Sequence, residues 1–524
     1  MARRLRRRLI DTLSEPTLRR LQRIRHGESP SLRRPVGRAG IRGTTPQIVT
    51  AFDAHAVRAE VARTVASVLD TADIGYVLVP GPRDTVRQVA IDSSDADDAA
   101  AALEAALSGP GWVFERSEKG RHHHRRLRVY RVLAAPTGHL LCGPDTACEI
   151  ALWERVTEPS PAGPGLPPDT VGTRVAPPDN PVVSRLSERA WQRAVTSPTH
   201  WPVEDPRPYV LDVREPVDLV YTWVDGANPD WQRRKAQYAP ADSYNFAANV
   251  ARYTNRDELR YSMRSVAMFA SWVRRIYLVT DGQVPDWLDT AHPKITVVDH
   301  RDIFTETSVL PVFNSHAIES QLQHIPDLAE CFLYCNDDIF FGRPVEPELF
   351  FHGNGISKFF MSKQTLDLDP ASTQDLPVMS AAKNNRALIE QEFGVTIRHK
   401  LKHTAHPQLR SVLVEMEKRH PEVFAQVAAS RFRHPDDVSI PSALHHYYAY
   451  ARGRAVPGEM HYRYQDISLP DTHRRLDEFL RERPQVFCLN DLDSLPGQLA
   501  QQRAMLEQFF AEYFPVPAPW ERDR

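Results

Sequence analysis

Four short runs rich in β-branched and aromatic residues, Val217 to Val224, Ile276 to Thr280, Ile295 to Val298 and Phe332 to Tyr334, recur with helix-patterned stretches between them. Runs this short and continuously apolar read as strands buried on both faces. In the first interval Asn255 is expected to cap a helix whose first turn carries Asp257 and Glu258, and Leu259, Met263, Val266 and Ala270 supply its apolar stripe. Strands alternating with helices predict an α/β fold, a mostly parallel sheet flanked by helices on both faces.

Each run leads into acid: Asp225, Asp281, Asp299 and the pair Asp337-Asp338. The carboxyl ends of parallel strands lie on one edge, where open α/β sheets bind ligands. Hard cations such as Mg²⁺ take oxygen ligands, one or two carboxylates plus substrate phosphate oxygens, so Asn336-Asp337-Asp338 is the expected metal and diphosphate station. Singly, Asp225, Asp281 and Asp299 read equally well as turn-formers or helix caps. Asn314 or Ser315 is expected to cap a helix. Further on, His403 and His406 precede a helix expected near Gln408, and Arg431, Arg433 and His434 precede Asp436-Asp437. Arginine offers a planar fork to phosphate oxygens and histidine transfers protons near neutral pH, a combination suited to phosphoryl transfer. As isolated residues, such histidines are more often structural hydrogen-bonders.

A chain of 524 residues exceeds what one core usually serves. The expected division is a basic arm over 1–44, a small N-terminal α+β domain over 45–155, a Pro-rich linker over 156–210 and a catalytic domain over 211–521. The near-balanced net charge of −2 gives no whole-molecule field for nucleic acid. Five scattered cysteines form no metal pattern and fit a reducing compartment, with Cys331 and Cys335 reading as core packing. No run is long enough to span a bilayer and no secretory apolar core opens the chain, so the expected location is cytoplasmic. The arginine-dense arm is either a peripheral contact with anionic lipid at the membrane's inner face or a solvated basic tail. The His122-His123-His124 run reads as a basic loop, since consecutive side chains cannot converge on one ion. The stretch from Phe350 to Lys400, with Lys363, Lys383 and Asn384-Asn385, is either an acceptor-facing insertion or scaffold.

In this order the motifs resemble the Stealth family of sugar-phosphate transferases, which includes bacterial capsule and exopolysaccharide phosphotransferases. The first block is similar to Asp218 to Gly226. The second runs from Asn255 to Ser262 through Val279 to Gln283, Asp302 to Phe304 and Leu310 to Ser315 to Tyr334 to Asp338. The third covers His403 to Pro407 with Arg431 to His434, and the fourth Cys488 to Asp491 with Phe510 to Glu521. Val312 departs from the threonine common at that place. The resemblance implies a glycosyltransferase-A-like fold and a divalent metal, Mg²⁺ or Mn²⁺, at Asp337 and Asp338, to which Asn490 and Asp491 would add. It further implies His406 and Arg433 in the catalytic centre, with Asp225 and Asp281 supporting base, ribose or sugar. The implied partners are a nucleotide-sugar donor and a polysaccharide or glycan acceptor. The rival readings are a metal-dependent glycosyltransferase releasing nucleoside diphosphate and a non-catalytic glycan- or nucleotide-binding module.

Overall fold

In the computed structural model the first three buried runs and the fourth lie side by side. Strands β1 (Val217–Thr222), β2 (Ile276–Thr280), β3 (Ile295–Asp299) and β4 (Cys331–Cys335) are mutually parallel in the order β3-β2-β1-β4. The structure describes residues 44–522 apart from 81–85, 118–125, 160, 162–167, 178–182, 202–206, 240–254, 493 and 495. Residues 1–43 of the basic arm and the His122-His123-His124 run lie outside the described residues. Gly43–Arg524 forms one contact unit.

The expected α/β sheet is therefore present, and its chemistry explains its position. β1, β2 and β4 are buried along almost their whole length, as parallel strands covered on both faces must be. The buried carboxylate of Asp218, on β1, accepts from Arg274 Nε at 2.8 Å and from the Ala329 N–H at 2.8 Å, tying the start of β1 to the loop that enters β4. Helix α1 (Pro229–Tyr238) follows β1, and α2 (Glu258–Phe269) leads to β2. The start of α2 differs from expectation. Asn255 accepts from the Asp257 N–H at 2.9 Å in a turn ahead of the helix, and Asp257 itself takes a left-handed φ of 64°. Glu521 clamps α2 from the C-terminal segment, accepting from Arg260 Nε and Arg264 Nε at 2.6 Å each.

A larger difference concerns the third block. The segment expected to open a helix near Gln408 is strand β6 (His406–Leu409), antiparallel to β4, with His406 opposite Tyr334 and Leu409 opposite Cys331; the following helix starts at Arg410. The reason is burial, because all four residues of β6 are enclosed and the free edge of β4 needs a partner. A short helix α3 (Ser315–Glu319), capped by Asn314 as expected, precedes β4; strand β5 (Ile339–Phe341) and helix α4 (Pro377–Phe393) follow it. After β6 come α5 (His445–Ala451), β7 (Tyr462–Asp466), β8 (Val486–Asn490) and α6 (Leu499–Tyr513), with β8 pairing both β5 and β7.

The N-terminal part is α+β. Helix Ala54–Thr71 buries Val57, Val61, Val65 and Leu69, and a seven-stranded sheet includes Tyr76–Pro80, Val86–Asp92 and Cys148–Arg155. Part of the expected linker also has structure: strands Arg174–Val175 and Arg185–Leu186 join that sheet, and helix Glu188–Thr196 buries Trp191. There the prolines thin out, Ser187 caps the helix and Arg174 pairs with Asp92 at 2.8 Å. All five cysteines are free and buried. Among the described residues no helix is long and apolar enough to cross a membrane.

Behind β6 lies a histidine cluster. His406 Nδ1 is 3.2 Å from His446 Nε2, and His445 Nε2 accepts from the Leu409 N–H at 3.1 Å. Burial first, and neighbouring imidazoles second, lower His406 to about 3 and His446 well below its ordinary value. Burial also lowers His445 to about 3. All three stay neutral in the folded chain but protonate when it unfolds. Their stabilisation is present above the unfolded pKa of about 6.5 and is lost as pH falls from there toward 3, at up to about 1.4 kcal/mol per pH unit for each proton. His324, raised by Glu417, and His403, where Asp338 outweighs burial, work in the opposite sense, but they are two imidazoles against three. Urea midpoints should therefore fall steadily between pH 7 and 5. A midpoint that is flat or rising over that interval would show that the cluster is not held neutral.

Candidate active site

Between β1 and β4 the order of the sheet reverses, since the chain steps outward through β2 and β3 on one side and returns through β4 on the other. The crevice at the carboxyl ends of two such strands is the natural ligand site of an open α/β sheet. The residues that leave β1 and β4 there are Trp223 to Asp225 and Asn336 to Asp338.

Asp338 is the best-defined of these. One oxygen faces His403 Nε2 at 3.2 Å and the other accepts from the Cys488 thiol at 3.3 Å. Its carbonyl accepts from the Leu489 N–H at 3.0 Å, so β8 supports the acidic turn directly. Asp337 is pushed well above the usual carboxylate range, by burial first and then by the charges of Glu258 and Asp338. Glu258 is raised as well, by burial and, among its neighbours, Asp338, against the opposing effect of Arg256. For His403, burial works against the charged form, yet Asp338 outweighs it and the net direction is upward. Tyr462 on β7 donates its hydroxyl to the His403 carbonyl and so fixes that residue beside the acids.

His406 is placed differently. Its ring is buried in the histidine cluster and stacked near Tyr334 with centroids 6.5 Å apart, and its Nε2 is enclosed without a hydrogen-bond partner. His403 is the histidine that meets the acidic pair; its side chain is 32% exposed, open to an incoming group.

Arg433 reaches the site from a heavily anchored loop. Its guanidinium donates to Ser315 Oγ at 2.9 Å, and its charge acts on His403. Behind it, the buried Asp437 carboxylate accepts from Asn314 Nδ2 at 2.8 Å and from the His434 N–H at 3.0 Å, and lies 3.3 Å from His316 Nδ1. From the other side Asn384 Nδ2 donates to the carbonyls of Pro435 and Asp437 at 2.8 and 2.9 Å, and Asn385 Nδ2 to that of Ser439 at 3.1 Å. Lys383 pairs with Asp367 at 2.9 Å and Asp375 at 3.0 Å. These three α4 residues are thus partnered within the fold, and two of them brace the Arg433 loop.

The other sequence-predicted positions divide. Asp281 pairs with Arg234 of α1 at 2.6 Å. Asp225 accepts from the Ala227 N–H at 3.0 Å, while its own N–H donates to Gln283 at 2.7 Å, so it shapes the turn after β1. Asp299 caps the helix that follows β3. Asn490 ends β8, and Asp491 is held by the buried guanidinium of Arg256. Cys488 and Glu258 are site neighbours that sequence reasoning did not single out. The signal for Cys488 is its register: β5 pairs with β8 so that Cys488 stands opposite Ile339, one residue past the acidic pair.

This donor set suits a divalent cation. The charge of Asp338 disfavours the ionised forms of Asp337 and Glu258, Glu258 acts on Asp337 in the same sense, and added positive charge relieves that repulsion. Asp338, His403 and Cys488 present ligand atoms all within 4.8 Å of one another.

Four segments match the described conserved regions of Stealth proteins: region 1 at residues 215–243, region 2 at 252–359, region 3 at 402–450 and region 4 at 477–524. An exopolysaccharide phosphotransferase of Streptomyces coelicolor is 42% identical over 487 residues, spanning 87% of this chain and 81% of the relative. A second from that organism is 38% identical over 502 residues, spanning 87% and 83%. Exopolysaccharide phosphotransferase CpsY of Mycobacterium tuberculosis is 42% identical over 414 residues, spanning 76% and 73%. Among solved structures, the galactosyltransferase LgtC in complex with donor and acceptor sugar analogues aligns over 58% of this chain and 98% of its own, at 14% identity and a TM-score of 0.27. With all four conserved regions matched in order and relatives aligned over most of its length, the chain belongs to the Stealth family.

Proposed function

We propose that this chain is a phosphotransferase that moves a sugar 1-phosphate unit from a nucleotide-sugar donor to a hydroxyl of a glycan acceptor, forming a phosphodiester and releasing nucleoside monophosphate. The observation that carries it is the meeting of an acidic pair whose Asp337 resists ionisation, a partly exposed histidine and an anchored arginine at the reversal point of the sheet. The names of the relatives agree with it.

Phosphoryl transfer asks a protein for positioning and charge neutralisation more than for covalent chemistry. A divalent cation, Mg²⁺ or Mn²⁺, held by Asp337 and Asp338 with Asn490 beside them, would neutralise the diphosphate. Arg433 offers its fork to the phosphate that stays with the sugar, and Ser315 limits its swing. Asp225 and Asp281, at the ends of β1 and β2, line the side of the crevice assigned to the nucleoside. Asp491 supports indirectly, because its charge is spent on Arg256. We move the general-base role from His406 to His403. A ring lowered to about 3 and buried on β6 against the histidine cluster neither reaches an acceptor hydroxyl nor drives proton transfer near neutrality, whereas His403 is accessible and its basicity is raised by Asp338.

The leaving group decides the reaction. With a turned-over nucleotide sugar, Mn²⁺ and acceptor, nucleoside monophosphate should accumulate in step with phosphodiester; accumulation of nucleoside diphosphate would make the chain a glycosyltransferase, and unchanged donor a binding module. Within that assay Asp338→Ala, His403→Ala and Arg433→Ala should each lower kcat roughly a hundredfold or more. A larger loss from His406→Gln than from His403→Gln would reverse the reassignment.

Asp437 acts through Arg433. Asp437→Asn should cost roughly tenfold in kcat with the fold retained, and almost nothing further in an Arg433→Ala background, since both changes remove one interaction. Additive losses in that double-mutant cycle would separate the two residues.

A further inference from the structure

The acidic pair accounts for a hard cation, but it leaves Cys488 unexplained. Mg²⁺ has no use for a thiol, and packing alone would be served by other small residues. Cys142 and Cys148 direct their sulfurs toward backbone carbonyls, whereas Cys488 donates to a carboxylate. We propose that Asp338, His403 and Cys488 form a binding site for a thiophilic divalent cation of the Zn²⁺ class, and that such an ion excludes the catalytic Mg²⁺ or Mn²⁺ because both need Asp338.

The geometry is close to a ligand shell. Ligands about 2.0–2.3 Å from a tetrahedral ion lie roughly 3.3–3.8 Å apart. Here His403 Nε2 and Cys488 Sγ stand 3.2 and 3.3 Å from the two oxygens of Asp338, and the three donors fall within 4.8 Å of one another. Small side-chain rotations close the set. Each donor is also held from behind: Cys488 by the pairing of β8 with β5 and β7, His403 by the Tyr462 hydroxyl on its carbonyl, Asp338 by the Leu489 N–H. Such support keeps ligands oriented before an ion arrives.

The exchange balances without an oxidant. The Cys488 S–H bond breaks and its proton leaves to solvent, the proton that His403 Nε2 shares with Asp338 shifts to Nδ1 or leaves likewise, and the sulfur and Nε2 lone pairs form metal bonds in place of the two hydrogen bonds to Asp338. Three protein ligands leave a fourth position open. Binding also takes the lone pair of the imidazole assigned as general base, so a bound Zn²⁺ removes both the site of the catalytic ion and the base. That inhibitory consequence rests on the phosphotransfer reading; the binding itself does not.

Co²⁺ is the probe. Titrated into the metal-free full chain, it should give a thiolate-to-cobalt charge-transfer band with intense visible absorption, both bleached by equimolar Zn²⁺. Cys488→Ser should abolish the charge-transfer band. His403→Asn, at a more exposed position, should weaken Co²⁺ affinity roughly tenfold or more, and it keeps the proposal testable if the buried serine variant fails to fold. Zn²⁺ should inhibit turnover competitively with Mg²⁺. Absence of the band in the unmodified chain, or its persistence in Cys488→Ser, overturns the proposal. A chain that releases nucleoside monophosphate with Mg²⁺ yet lacks the band refutes this inference alone; a band without donor turnover refutes the phosphotransfer reading alone.

Discussion

Four carboxylates, Glu258, Asp337, Asp338 and Asp491, converge where β4, β8 and the start of α2 meet, and the charge set against them within the fold is small. Buried Arg256 serves Glu258 and Asp491 together. His403 faces Asp338 and acts more weakly on Asp337. For Asp337, burial and two like-charged neighbours, which disfavour its ionised form, outweigh a backbone hydrogen bond and the charge of His403. An arrangement of this kind costs stability in the absence of a ligand, and the cost is recovered when a cation enters. The rest of the site is arranged around that deficit. β8 supports the acidic turn through the backbone, β7 holds His403 against it, and the Arg433 loop brings a positive charge beside them.

The two cationic elements are built differently, and the difference suits the tasks proposed for them. His403 sits in an irregular stretch just before β6 and is fixed by a single hydroxyl on its carbonyl. Arg433 stands on a loop whose backbone is tied from both sides, by Asn314 and Asp437 on one and by Asn384 and Asn385 on the other. A planar guanidinium must present its fork in one orientation, so its backbone needs fixing. An imidazole that shuttles a proton can tolerate more rotation.

Much of this was legible in the sequence where local pattern decides the outcome. The buried strands, their acidic ends and the cap at Asn314 follow from short-range preferences and from the placement of parallel strand ends on one edge. His403 and His406 were harder. Three residues apart ahead of an apolar helix, they look equivalent, and only the pairing of β6 with β4 buries one and leaves the other at the site. Glu258 reads as an ordinary first-turn acid, favourable at a helix N-terminus; its nearness to Asp337 is a tertiary fact. Cys488 looks like one more buried cysteine until the register against Ile339 brings its sulfur to Asp338.

That register bears on why a Stealth chain would draw its site from segments so far apart. β4 and β5 flank the acidic turn within eleven residues, but a turn followed by a three-residue strand has little stiffness of its own. Pairing with β8, the central strand of a three-stranded sheet, ties it down along one side, so Asp338 is held by backbone hydrogen bonding, which a change of surface side chains does not disturb. Glu521 does the equivalent for α2, binding Arg260 and Arg264 and thereby fixing the helix whose first residue is Glu258. The fourth conserved region thus contributes mainly rigidity: it supplies one strand and one carboxylate that hold the negative charges of the second region at the separation their mutual repulsion would otherwise widen.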